Sequence, residues 1–224
     1  MLPGVVSSTG VGSDALPFTG PWLLAPMDGV TDAAFRDVVL DLHSPSALGG
    51  AFTEFVPIGQ HPIPTKVLRR HLGERREGAP VALQLMGAEP GVLADTTRRA
   101  VDAGSPLVDL NFGCPAKGTL KRCAGSAALD DPLRVEHLVA ACVRAAPEIP
   151  VTAKIRSGVN DAARVEELAR AVESAGAALL TIHCRTRAEA YRDPVDWDRI
   201  ARAVSAASCA LADSGKISSS RVLW

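Results

Sequence analysis

The sequence predicts a parallel α/β protein of the TIM-type barrel class, and three observations carry that expectation. Short apolar runs alternate with amphipathic segments of helical length. The runs are apolar at successive positions rather than at every second one. Polar residues recur at their C-terminal ends. The runs at 22–27, 51–55, 81–86, 107–112, 151–156, 178–184 and 208–212 read as buried strands, and 92–103, 132–145, 162–174 and 197–206 place apolar residues at helical spacing. Strands without polar alternation imply a parallel sheet covered on both faces. Seven candidates exceed a minimal doubly wound sheet and fall one short of a closed eight-stranded barrel. No G-x-G-x-x-G follows the first run, which weakens a dinucleotide fold. Asp28, Glu54, Gln84, Asn111, Lys154, Arg156, His183 and Arg185 cluster at strand ends. In a barrel those ends share the face that carries the chemistry.

Helix boundaries support the alternation. Asp131-Pro132 places a cap before a first-turn proline, and Asn160 or Asp161 can cap the segment that begins at 162. Gly104 and Gly176 stand where helices end in a left-handed residue. Residues 1–20, rich in Gly and Ser, read as a flexible leader, and 21–224 as the barrel domain.

The chain has 224 residues, enough for one sizeable core. Aromatics are 4%, so Ala, Val, Leu and Ile must fill it. A net charge of −1 advertises no nucleic-acid partner for the molecule as a whole. Five cysteines at scattered positions suggest neither a zinc site nor a disulfide framework, so no metal is expected and a reducing, cytoplasmic setting is. No apolar stretch is long enough for a membrane span, and the N-terminus does not read as a signal peptide. A monomer is expected.

Five stretches carry candidate chemistry. In Leu24-Ala25-Pro26-Met27-Asp28-Gly29-Val30-Thr31-Asp32 a strand ends in a turn, with Thr31 or Asp32 able to cap a helix. Alternatively, the backbone of Pro26, Met27 and Asp28 forms a wall against a flat ligand. Gln84 interrupts an apolar strand. Its carboxamide must be paired, by a neighbouring loop or by the imide edge of a flavin or pyrimidine. In Asn111-Phe112-Gly113-Cys114-Pro115 the cysteine sits in a turn just past a strand end. Near neutral pH its thiol can act as a general acid, or as a nucleophile if its pKa is lowered; the residues leave both open. The other cysteines fit buried structural roles. Lys154 and Arg156 alternate along one strand and face the same side, which calls for an anionic or electron-rich partner. His183 precedes a cationic loop holding Arg185, Arg187 and the only tyrosine, Tyr191.

Together these stretches resemble the tRNA-dihydrouridine synthases. The resemblance rests on residues 24–36, Thr53-Glu54-Phe55, Gln84-Leu85, the run from Val108 to Pro115, Gly125-Ser126-Ala127, Lys154-Ile155-Arg156 and His183 through Tyr191. It covers about 22–200 in order and is most similar to the bacterial single-site enzymes. It implies an FMN-dependent, NADPH-driven reduction of the uridine C5–C6 bond in tRNA. Pro26, Met27 and Asp28 would line the flavin, and Gln84, Lys154 and His183 would hydrogen-bond its ring. Asn111, Arg156, Arg185 and Tyr191 would hold the uracil. Cys114 would protonate C5 while hydride reaches C6. The base must be turned out of its stack to arrive there. Phosphate contacts would fall to Lys66, Arg69, Arg70, His71, Arg75 and Arg76, and to Lys117, Lys121 and Arg122, unless the first group is only a solvated helix face.

The resemblance also sets expectations about what is missing. The family continues through an eighth strand, a phosphate grip and a helical tRNA-docking domain. Here Asp213-Ser214-Gly215 is a blurred version of the seventh-strand element, and strand eight and the docking domain are expected to be absent. An unclosed barrel leaves strand edges unpaired, so poor stability and weak or no FMN binding are expected of this chain alone. Cys184 stands where the family usually has glycine. Two other functions compete: a catalytically inactive remnant that binds RNA, or another FMN-dependent barrel oxidoreductase.

Overall fold

The computed structural model describes residues 16–74, 77–116, 124–207 and 210–213. Seven parallel strands form one sheet whose spatial order equals their chain order: β1 (Trp22–Leu24), β2 (Leu48–Pro57), β3 (Val81–Met86), β4 (Val108–Phe112), β5 (Val151–Arg156), β6 (Leu179–His183) and β7 (Ala210–Asp213). Between them run α1 (Ala33–Asp41), α2 (Thr65–Leu72), α3 (Pro90–Ala103), α4 (Pro132–Ala145), α5 (Val165–Ser174) and α6 (Asp198–Ala206), with a 3₁₀ turn over Gly125–Asp130. Each crossover through a helix returns the chain parallel to the strand before it. The result is an α/β fold with a curled parallel sheet, consistent with an incomplete TIM-type barrel.

Side-chain parity divides the sheet into two faces. Leu83, Leu85, Val108, Leu110, Phe112, Val151, Ala153, Ile155, Leu180 and Ile182 join helix residues such as Leu93, Leu138, Val139 and Leu168 in the main core. The other parity turns inward. Its lower layer is apolar, built from Leu23, Phe52, Ala82 and Leu107 with Leu16 and Phe18 packed against them. Ala25, just past the end of β1, shares a small cluster with Leu179 of β6 and with Leu16, so the sheet curls far enough to bring these segments together. The ring of Phe18 meets Phe52 edge to face at 5.5 Å. Above that layer the inward residues are Gln84, Asp109, Asn111, Thr152, Lys154, Arg156, Thr181 and His183. All are buried except Asn111, which is half-buried.

Boundaries follow local chemistry. Asp131 caps α4 by accepting from the Leu133 amide at 3.1 Å, and Gly104 closes α3 with φ 94°. Helix α5 begins at Val165 rather than at 162, because Asp161 Oδ1 accepts from the Ala163 amide at 2.9 Å and diverts those residues into a turn. Strand β1 stops at Leu24 because Pro26, two residues further on, brings no N–H to the ladder. Strand β2 starts earlier than expected. Gly49 sits in it because the Gly20 backbone passes where a Cβ would stand, with the Thr19 amide donating to the Gly49 carbonyl at 3.0 Å.

Candidate active site

The cysteine turn is held from several elements. Asn111 leaves β4 on the inner face, and its Oδ1 accepts from the amides of Gly113 (2.9 Å) and Cys114 (3.0 Å). The Cys114 carbonyl accepts from the Ser126 amide at 3.1 Å and from Ser126 Oγ at 2.8 Å. Arg156 Nε on β5 donates to the Gly113 carbonyl at 2.8 Å. The backbone is thus fixed on both sides of a half-buried thiol that forms no disulfide.

Beneath the turn lies a buried polar chain. Asn111 Nδ2 donates to Gln84 Oε1 at 2.8 Å, and Gln84 Nε2 donates to Asp109 Oδ2 at 2.6 Å. Thr152 Oγ1 donates to Asp109 Oδ1 at 2.6 Å. The Gln84 amide therefore has protein partners at both ends, and Asn111 and Gln84 each keep a second amide hydrogen. Burial raises the Asp109 pKa above its ordinary value, while the bonds from Gln84 and Thr152 and the charge of Lys154 pull the other way.

Register brings the cations alongside. Lys154 pairs with Asn111 across β4–β5, and His183 pairs with Arg156 across β5–β6. Arg156 also donates to the carbonyls of Thr186 (3.3 Å) and Ala190 (3.1 Å), and its guanidinium lies 5.4 Å from the Tyr191 ring. His183 Nδ1 accepts from the Arg185 amide at 3.2 Å, which places the imidazole proton on Nε2. Burial, reinforced by Lys154 and Arg156, pushes the His183 pKa down to about 3. The imidazole is a neutral donor at physiological pH. Tyr191 is exposed and stands 6.1 Å from the His183 ring, edge to face.

The loop after β6 is pinned by a pair that sequence reading missed. Arg199 of α6 meets Glu189 at two points, Nη1–Oε2 at 2.6 Å and Nη2–Oε1 at 2.8 Å. Glu189 Oε2 also accepts from the Thr186 amide at 2.7 Å. The Cys184 carbonyl takes bonds from Ser157 Oγ and Arg199 Nη1, both 2.8 Å, and the Cys184 side chain is buried. The Arg185 side chain is turned onto its own loop, donating to the Arg192 carbonyl at 2.8 Å and to Asp193 at 2.7 Å.

On the opposite flank, Pro26 and Met27 are half-buried and Asp28 is exposed. Thr31 Oγ1 ties this turn by accepting from the Met27 amide at 2.9 Å, while Asp32 caps α1 through the Phe35 amide at 2.8 Å. Gly29, with φ 76°, donates its amide to Glu54 Oε1 at 2.6 Å and joins this turn to β2. Lys66, Arg69 and Arg70 form an exposed basic row on α2, with His71 half-buried behind it. Arg75, Arg76, Lys117, Lys121, Arg122, Cys123 and Cys209 lie outside the described residues. Among the described residues no group of three His, Cys, Asp or Glu could hold a metal ion, and no helix is long and apolar enough to cross a membrane.

The fold and the site define a class: a parallel α/β barrel-type scaffold whose strand ends surround a cysteine turn with cations and amide donors. The chain belongs to the dihydrouridine synthase family, whose model matches residues 23–222. It is similar to the tRNA-dihydrouridine(16) synthase of Cupriavidus necator, 37% identical over 201 residues, which cover 87% of this chain and 62% of that protein. The protein of the same name from Shewanella oneidensis is 39% identical over 185 residues, covering 80% and 58% respectively. This chain spans about three fifths of the length of the curated relatives it matches. In fold it is similar to a lyase/mutase-type structure from Burkholderia cenocepacia J2315, at TM-score 0.56 and 18% identity over 91% of this chain and 76% of that one. It is also similar to FabK from Thermotoga maritima, at TM-score 0.51 and 16% identity over 92% and 56%.

Proposed function

We propose that this protein takes part in the FMN-dependent reduction of the C5–C6 bond of a uridine in tRNA, with NADPH as the source of electrons. The observation that carries the reading is the convergence of the Cys114 turn, Lys154, Arg156 and His183 at one end of the sheet. The residues present suit a flavin. Lys154 and the Nε2–H of His183 offer positive charge and a donor to a ring that becomes electron-rich at N1 and O2 on reduction. Gln84 has no exposed surface and supports Asn111 from beneath, while the turn of Pro26, Met27 and Asp28 offers backbone as a wall.

Bound FMN would supply the hydride that reaches C6. The chain's own residues supply the rest. The spare Asn111 amide hydrogen and the Arg156 guanidinium would hold the uracil, with the exposed Tyr191 beside them, and Arg185 would have to leave Arg192 and Asp193 to join them. Cys114 is the general acid: its S–H bond breaks as a C5–H bond forms. The exposed row Lys66, Arg69 and Arg70 gives phosphate contacts to a tRNA whose target base is turned out.

The test is nucleoside analysis of tRNA from cells that lack their own dihydrouridine synthases and express this protein. Dihydrouridine at a tRNA position supports the reading. RNA binding without any dihydrouridine favours a non-catalytic RNA-binding protein instead.

A further inference from the structure

The buried chain from Thr152 to Cys114 has a direction, and the direction has a source. At its upper end the amides of Gly113 and Cys114 are obligate donors, so Asn111 must present Oδ1 to them. Asn111 then presents Nδ2 to Gln84, Gln84 must answer with Oε1, and its Nε2 is left facing β4. That orientation survives only if the group opposite Nε2 accepts. Asp109 Oδ2 is that acceptor at 2.6 Å, and its other oxygen is occupied by Thr152 Oγ1. If a donor stood at 109, Gln84 would gain by flipping its amide, and an apolar group there would leave Nε2 buried without an acceptor and Gln84 without its anchor. A flipped Gln84 sets two NH₂ groups against each other, and Asn111 could relieve that only by turning its own NH₂ toward the backbone amides.

We propose that Asp109 is a positioning residue for the cysteine turn, acting through Gln84 and Asn111 to lock the orientation of both carboxamides. It touches neither the thiol nor the mouth. It supplies the acceptor that lets Gln84 keep Oε1 toward Asn111, and so holds Asn111 Oδ1 on the turn and its spare N–H in place. The inference rests on the proposed function only for the purpose of the turn; the relay itself can be tested without catalysis.

The readout is residue-resolved amide hydrogen exchange of Gly113 and Cys114 by NMR. Asp109→Leu removes the acceptor, and exchange at these two amides is expected to rise roughly tenfold, the scale of one lost hydrogen bond, with β5 and β6 amides unchanged. Asp109→Asn keeps an oxygen for Gln84 and can turn its NH₂ to Thr152, so it is expected to restore protection to within about twofold. If Asp109→Leu does not fold, Gln84→Met breaks the same relay one link later and is expected to show the same local loss. Unchanged exchange in the folded variant overturns the proposal. So does an Asp109→Asn protein as unprotected as the broken relay, because packing or charge would then be the cause. Dihydrouridine formation is scored separately, so a catalytically silent protein with an intact relay counts against the proposed function alone.

Discussion

Arg156 donates its Nε to the carbonyl of Gly113 at 2.8 Å, so the strand that carries Lys154 also carries the clamp on the cysteine turn. The same guanidinium reaches the Thr186 and Ala190 carbonyls and stacks near Tyr191. Its planar fork joins two loops through three carbonyls, which a lysine cannot do. Arg156→Lys is therefore expected to keep the charge yet lose the geometry. Thermal unfolding should show about 1–3 kcal/mol of lost stability, and any uridine reduction should fall with it. Full stability in the variant would show that the clamp is idle.

Glu189 predicts an acid-sensitive loop. Its bonds with Arg199 hold its pKa down, to about 2 against an ordinary 4.5. A carboxylate depressed in this way contributes stability above about 4.5 and loses it as pH falls from there toward 2. The pair is partly exposed, so its contribution is about 1 kcal/mol or less. Glu189→Gln should match the parent at the acid end of that window and be less stable at neutral pH, as read by melting temperature against pH. Equal pH dependence in the two proteins would contradict the assignment.

His183 predicts the opposite kind of silence. Its pKa is pushed down to about 3, so the folded imidazole refuses the proton that an unfolded one takes near 6.5. Stability should therefore fall as pH drops through that interval, because the unfolded chain binds more protons. NMR of the His183 ring should show a neutral Nε2–H tautomer that does not titrate at pH 5 or above. A midpoint near the ordinary value would mean the ring is not desolvated beside Lys154 and Arg156.

The described cysteines should separate by burial. Cys142 is enclosed in the core and its pKa is raised to about 11, with Thr97 bonded to it. Cys184 is buried under the pinned loop, whereas Cys114 is half-open. Peptide-resolved alkylation at pH 7 should label Cys114 first and leave Cys142 and Cys184 protected until unfolding. Equal labelling of Cys142 and Cys114 would contradict the packing.

Much of this arrangement was legible before any coordinates, for physical reasons. Strands β3 and β5 were read with their observed ends because uninterrupted apolar runs leave little choice. Lys154 and Arg156 were placed on one face by the two-residue period of a strand, and register then put Asn111 and His183 beside them. Strand β2 was read short because glycines blur an apolar run, and the close pass of Gly20 that requires Gly49 is invisible in one dimension. The signal for Asp109 lies in its strand. A carboxylate inside Leu107–Phe112 carries the same desolvation penalty that singled out Gln84. Glu189 and Arg199 left no such mark, since charged residues on a loop and a helix are ordinary. Only the fold shows that they meet.

The central claim is that Cys114 gives the proton at C5 at the mouth these strands build. The most direct measurement compares parent and Cys114→Ala for flavin reduction by NADPH and for dihydrouridine formation in tRNA. The account predicts that flavin reduction is unchanged in the variant while dihydrouridine formation falls by about a hundredfold or more. Undiminished dihydrouridine formation without the thiol would contradict it.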